Sequence, residues 1–178
     1  MTAVGAVWGF AEATLFFIVP DVWLSVVAFR HGPGRAVVAC IPTTVGALAG
    51  GVLMFLWGTL DPQAARPVLD MIPAIGERTI DSAREALAQD GLIAMAVGAF
   101  SGVPFKIFAS QAPAAGISLA PFLAVALAAR MARFLIVAVF AGWIGRELAR
   151  RAGARRALWL LAGFWVLFYG FYWTVAPG

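Results

Sequence analysis

The chain has 178 residues, 62% of them hydrophobic and 12% charged, with seven Trp and fourteen Phe. That is more apolar surface than a soluble core of this size can bury, which excludes an ordinary soluble domain and points to a small integral membrane protein with spans of about 20 residues each. The formal charge of +4 sits largely in one arginine-rich stretch, so it reads as a signal for membrane orientation and not as a nucleic-acid footprint.

Residues 4–30 are long enough to cross a bilayer once, yet Glu12, Pro20 and Asp21 interrupt them. Proline removes an amide donor and blocks the preceding turn, so this segment is expected to be a re-entrant helical hairpin whose broken backbone lines a cavity. Arg30-His31-Gly32-Pro33-Gly34-Arg35 has the chemistry of a cytoplasmic turn. Residues 36–59 then form a span, with Gly46, Gly50 and Gly51 allowing close helix approach. From 61 to 90 the composition turns polar. The recurrence of Ile72, Ile75, Ile80, Ala83 and Leu87 predicts an amphipathic segment resting on the external membrane interface, interrupted near Pro73 and Gly76.

Apolarity returns over 92–116, broken by Gly98, Gly102, Pro104, Lys106 and Pro113, and predicts a second re-entrant hairpin. A span over 118–145 carries Arg130 and Arg133. A basic cytoplasmic loop follows over 146–156, and a last span over 157–175 closes a single membrane domain, 1–178. The N-terminal stretch has no basic leader and no small-residue cleavage signal, so it is expected to stay in the mature protein. Cys40 is the single cysteine; it excludes an internal disulfide or a cysteine zinc cluster and reads as a packed thiol. With His31 as the single histidine, neither a metal site nor another cofactor is expected.

Basic loops stay inside, which predicts a cytoplasmic N-terminus, an external 61–90 segment and an external C-terminus. The hairpins then enter from opposite faces, as two inverted repeats require. Val4-Gly5-Ala6-Val7-Trp8-Gly9 and Val97-Gly98-Ala99-Phe100-Ser101-Gly102 share a pattern that hints at the repeat. The fold class is therefore an all-α integral membrane protein, each repeat a re-entrant hairpin followed by a transmembrane helix, with a C-terminal transmembrane helix added.

This layout puts Glu12, Asp21, Lys106, Arg130 and Arg133 at membrane depth. Arg130 lies roughly 18 Å along its helix in a core about 30 Å thick, too deep for snorkelling. A guanidinium costs about 2.5 to 3.5 kcal/mol or more there, so it should face a polar cavity. Arg130 and Arg133 are three apart and share a helix face, and two planar forks aimed at one volume suit a phosphate. Lys106 adds a point charge, while Ser101 and Gln111 are candidates to line the cavity or to satisfy broken backbone. Glu12 and Asp21 are read as partners of the arginines in the empty state or as carriers of protons. Trp159, Trp165 and Trp173 are read as membrane anchors or packing groups.

The residues Glu12-Ala-Thr-Leu-Phe-Phe-Ile-Val-Pro-Asp21, Gly102-Val-Pro-Phe-Lys106, Gly116, Phe122 and Arg130-Met-Ala-Arg-Phe134 resemble the DedA family of the SNARE-associated Golgi protein (VTT domain) superfamily. The second acidic position is Asp21 where that family commonly has Glu. The resemblance implies opposed re-entrant hairpins, residence in a bacterial inner membrane and the movement of lipids, notably undecaprenyl phosphate. It also implies functional roles for Glu12, Asp21, Arg130 and Arg133. The leading expectation is a translocase, not an enzyme, for an anionic phospholipid or polyprenyl phosphate bound at Arg130 and Arg133, with protons as the coupling ion. The alternative is a proton-coupled exporter of small ions or cationic compounds working through Glu12 and Asp21. An intramembrane enzyme lacks a membrane-embedded histidine beside Ser101, and a structural adapter leaves the buried charges unexplained. Self-association into a homo-oligomer stays open.

Overall fold

The computed structural model describes residues 2–73 and 75–175, and the described residues are helical throughout, without strands. In chain order the helices are α1 (Thr2–Ala13), α2 (Asp21–His31), α3 (Pro33–Leu60), α4 (Pro62–Asp70), α5 (Glu77–Asp90), α6 (Leu92–Ser101), α7 (Phe105–Gln111), α8 (Leu119–Ala152) and α9 (Ala154–Val175). Three of them, α3, α8 and α9, are long and apolar enough to cross a membrane. Their outward faces carry exposed Val38, Ile41, Val45, Phe140, Trp143, Phe164 and Leu167, a distribution that suits contact with lipid and not with water.

Helix α3 is the axis on which the rest is mounted. Gly46 lies against the backbone of Ala6 and Gly50 against Phe10 and Ala13, so α1 runs alongside α3 in the same direction. A Cβ at Gly46 would strike the Ala6 main chain, so only glycine permits this approach. The chain breaks over residues 14–20 and α2 turns back until Phe29 packs on Gly145 near the far end of α8. On the other half, α6 ends at Gly102, held left-handed at φ 91°, and α7 leaves from Pro104. The ring of Phe105 then sits on Gly51 and the backbone of Ser110 on Gly58. The two breaks thus meet beside Gly50 and Gly51, one approached from each end of α3.

Several boundaries differ from the sequence reading. The turn expected over residues 30–35 shrinks to Gly32, because α2 continues to His31 and Pro33 opens α3, where its missing N–H costs nothing. Likewise the basic stretch 146–156 is not a loop: α8 continues to Ala152 and α9 begins at Ala154, with Gly153 at φ 87° making the whole connection. Arginine is a good helix former, and Glu147 pairs with Arg150 at 2.7 Å and with Arg151 one turn on. Pro20 is not the middle of the first break but its end, since its carbonyl already accepts from Leu24 N–H at 2.9 Å.

The apolar stripe of residues 61–90 was expected to rest on the membrane interface. Instead Leu69, Ile72, Ile75, Ile80, Ala83 and Leu87 are buried in one core with Met95, Phe108 and Phe122, α5 packing on α6 and α7. The exposed apolar surface of those short helices gives α5 a protein partner to cover. Asp61 caps α4 by accepting from Ala64 N–H at 2.9 Å, and Arg66 bridges α4 to Asp81 of α5 at 2.8 Å. A second core of Leu24, Val27, Ala36, Cys40, Phe134 and Ala138 joins α2, α3 and α8. Cys40 lies buried there as a free thiol. The expected external C-terminus falls on residues 176–178, outside the described residues.

Candidate functional site

Where the two breaks meet, acids from the first half face bases from the second. Glu12, in the last turn of α1, places Oε2 2.8 Å from an Nη of Arg130, with both side chains almost fully buried. Asp21, the first residue of α2, pairs with Arg133 one turn further along α8. Arg133 also donates to the carbonyl of Ala99, in α6, at 3.1 Å. The guanidinium of Arg130 is packed over the Phe105 ring at 4.2 Å, with Phe134 at 5.7 Å, so cation–π attraction supplements the ion pair.

Lys106 ties the breaks together. It is 2% exposed, and its Nζ donates to the carbonyl of Phe16, inside the first break, at 2.7 Å. Lys106 therefore satisfies main chain that lost its helical partner, as broken backbone away from water requires. The same break is held by Trp8, whose indole N–H donates to Ile18 O at 3.0 Å, and by Thr14, whose hydroxyl donates to Phe10 O at 3.0 Å.

These groups line a cavity of about 200 Å³ that extends from Glu12, Arg130 and Lys106 to Ile72 and Ile75 in the link between α4 and α5. At Asp21 and Arg133 it continues into a larger apolar groove of about 690 Å³, bounded by α2, α8 and α9. Asp21 and Arg133 thus line both spaces. Glu12 Oε2, Asp21 Oδ1 and Arg130 Nε are buried without a hydrogen-bond partner, Glu12 Oε2 meeting Arg130 as an ion pair alone. Polar groups left in that state cost about 1–3 kcal/mol each.

Of the residues expected to form the site, Glu12, Asp21, Lys106, Arg130 and Arg133 come together. Ser101 and Gln111 do not line the cavity. Ser101 is exposed beyond it and bonds locally to Gly98 O at 3.5 Å, while Gln111 is buried at the end of α7 beside Ser110 Oγ at 3.3 Å. Ser101 is spent on its own helix end, where a short helix leaves carbonyls to satisfy, and Gln111 on its neighbour's hydroxyl. Sequence reasoning missed the wall supplied by α9. Trp165, read as an anchor, donates to Ser25 Oγ at 2.9 Å, and the Tyr169 hydroxyl accepts from Val19 N–H at 2.9 Å. The signal was available: Tyr169 and Tyr172 are the only two tyrosines in the chain, and with Trp165 they form one helical stripe of polar-tipped aromatics.

Among the described residues no cluster of His, Cys, Asp and Glu suits a metal ion. The donor set is instead one of two guanidinium forks, each paired with a carboxylate.

Among known proteins, the chain is 30% identical over 147 residues to an uncharacterized protein of Haemophilus influenzae, covering 80% of this chain and 72% of the relative. It belongs to the family of that protein. It is also 38% identical over 61 residues to an uncharacterized protein of Histophilus somni, covering 34% of this chain and 32% of that relative. No protein-family model matches the chain, and no solved structure does so.

Proposed function

We propose that this protein is a DedA-like translocase of the bacterial inner membrane that carries a phosphate-bearing lipid, of the anionic phospholipid or undecaprenyl phosphate class, past Arg130 and Arg133. The observation that carries the reading is the pair of guanidinium–carboxylate contacts, Arg130 with Glu12 and Arg133 with Asp21, at the meeting point of two broken helices. Charges at such depth are costly and mark ligand paths, and broken helices meeting at the midplane are the usual setting of a transport site. In this reading α1–α2 and α6–α7 are re-entrant hairpins entering from opposite faces, and each precedes a spanning helix, α3 or α8, as inverted repeats.

An arriving phosphate would take the Arg133 fork from Asp21, and the released carboxylate is where a proton would enter the cycle. Asp21 is paired with Arg133, and Glu12, Arg130 and Tyr169 line the same cavity. A carrier of small cations would need free carboxylates. The pairing commits acid and arginine alike, but in the outer pair Arg133 is 26% exposed and Asp21 6%, which favours an anionic ligand reaching the arginine.

The test is translocation of a fluorescent, phosphate-headed lipid in reconstituted vesicles. The doubly neutral variant Asp21→Asn/Arg133→Gln, which leaves no orphaned charge, is expected to lose transport while remaining folded. Undiminished transport by that variant would remove the reading. Orientation is tested separately with Arg66→Cys and Arg151→Cys. Labelling from opposite sides of a sealed membrane is expected, and labelling from the same side would contradict the layout.

A further inference from the structure

The cavity that holds the buried charges and the apolar groove share Asp21 and Arg133 and extend from there toward different ends of the molecule. The cavity reaches Ile72 and Ile75, in the link between α4 and α5. The groove follows α8 through Ile136, Phe140 and Ile144 to Leu148, with Leu160 and Phe164 of α9 as its other wall. From Arg133 to Leu148 the helix rises roughly 22 Å, more than the roughly 15 Å depth of one leaflet of the hydrocarbon core. Along this length the walls are hydrocarbon and aromatic apart from Ser25; among the described residues the charges lining the groove are Asp21 and Arg133, at its head. At that head Asp21 Oδ1 is buried and unpartnered, and Arg133 is 26% exposed against 6% for Arg130.

We propose that this groove holds the hydrocarbon chain of a lipid whose anionic headgroup sits at Arg133, with the chain running toward the arginine-rich end of α8. This rests on the phosphate-lipid reading and adds a subsite and a direction to it. A lipid of the leaflet on the α8 C-terminal side has its headgroup at that end and its chain pointing inward, the reverse of what the groove accepts. A lipid of the opposite leaflet already points the right way. It needs only to sink until its headgroup reaches Arg133, which requires the buried Ile72 and Ile75 at that end of the cavity to part. The bound lipid therefore has the orientation of the leaflet on the α4–α5 side, and that side is where loading occurs. Because hydrocarbon gains little in moving from bilayer to groove, the groove selects orientation and not affinity.

The experiment uses the full chain in vesicles with hexadecyl phosphate carrying a photoreactive diazirine at the chain end, followed by peptide mapping. Labels are expected on Ile144, Leu148, Leu160 and Leu161. They should fall about tenfold or more in Asp21→Asn/Arg133→Gln, the loss expected for one hydrogen bond to a charged group. They should also fall in Ile144→Trp, which fills the groove without touching the ion pairs. Labels on Ile72, Met95 and Phe108 would overturn the direction while leaving the headgroup at the arginines. Labelling spread evenly over the outer faces of α3, α8 and α9, unchanged by either variant, would overturn the groove. Equal groove labelling by a hexadecyl trimethylammonium probe would overturn the anionic headgroup and with it the phosphate reading. If Ile144→Trp left labelling intact but abolished a crosslinked dimer, the groove would belong to a second copy of the chain, and the proposal would fail.

Discussion

The two ion pairs are a single helical turn apart on α8 and differ in what surrounds them. Arg130 and Glu12 are 6% and 7% exposed, and the guanidinium is pressed between Phe105 and Phe134. Arg133 is 26% exposed, opens to both cavity and groove, and divides its donors between Asp21 and the Ala99 carbonyl. The same chemistry thus serves two ends. The inner pair locks the break of the first half to α8, and breaking it leaves an uncompensated charge; the outer pair has room for a ligand to replace its carboxylate. Depth along α8 does not separate them, but aromatic cover does.

The comparison can be broken most severely at the inner pair. Arg130→Ala strands Glu12 and is expected to cost about 3–5 kcal/mol, visible as a large drop in the detergent melting temperature. Glu12→Gln/Arg130→Gln should recover most of it, because no orphan charge remains; equal losses in the single and double variants would show that packing, not charge, is responsible. Next comes the mounting of the first half on α3. Gly46→Ala drives a Cβ into the Ala6 backbone, and about 1–3 kcal/mol should be lost by the same assay, beyond the gain in helix propensity. An unchanged melt would mean that α1 is not seated as described.

The outer pair is sharpened by Arg133→Lys, which keeps charge and loses the planar fork. Stability should change little while transport of a phosphate lipid falls roughly tenfold, the scale of one charged hydrogen bond. Native transport rates with lysine would mean that point charge suffices. The smallest effect is expected at the α9 wall. Tyr169→Phe removes the acceptor for Val19 N–H, for about 0.5–1.5 kcal/mol, and faster hydrogen exchange at Val19 would report it.

Much of this was legible in the sequence because it is written in extremes. Charge inside an apolar run, and proline or glycine clustered with it, mark breaks and cavity groups, so the interruptions near Pro20 and Gly102–Pro104 and the five central charges stood out, whereas Pro42 sits inside an unbroken α3. What pairs with what was not legible. Spacing places Arg130 and Arg133 on one face but does not say that Glu12 takes the first and Asp21 the second, since that depends on how α1 is seated by Gly46 and Gly50. The basic stretch misled because arginine marks topology and favours helix at once, and a single glycine proved enough to turn the chain. The stripe of α5 gave its period correctly, but a period names a buried face and not the partner that buries it. Of the two readings open for Ser101 and Gln111, Ser101 takes the second, bonding to the Gly98 carbonyl at its own helix end, while Gln111 turns to the Ser110 hydroxyl.

If a headgroup binds, Arg133 and not the sealed Arg130 pair is the guanidinium with room for it. Native mass spectrometry of the protein taken from its own membrane tests it most directly, comparing the native chain with Asp21→Asn/Arg133→Gln and with Glu147→Gln at the remote end of α8. The account predicts a retained phosphate-bearing lipid in the native chain and in Glu147→Gln, absent from the doubly neutral variant. Equal retention in all three, or retention of a neutral lipid in place of an anionic one, would contradict it.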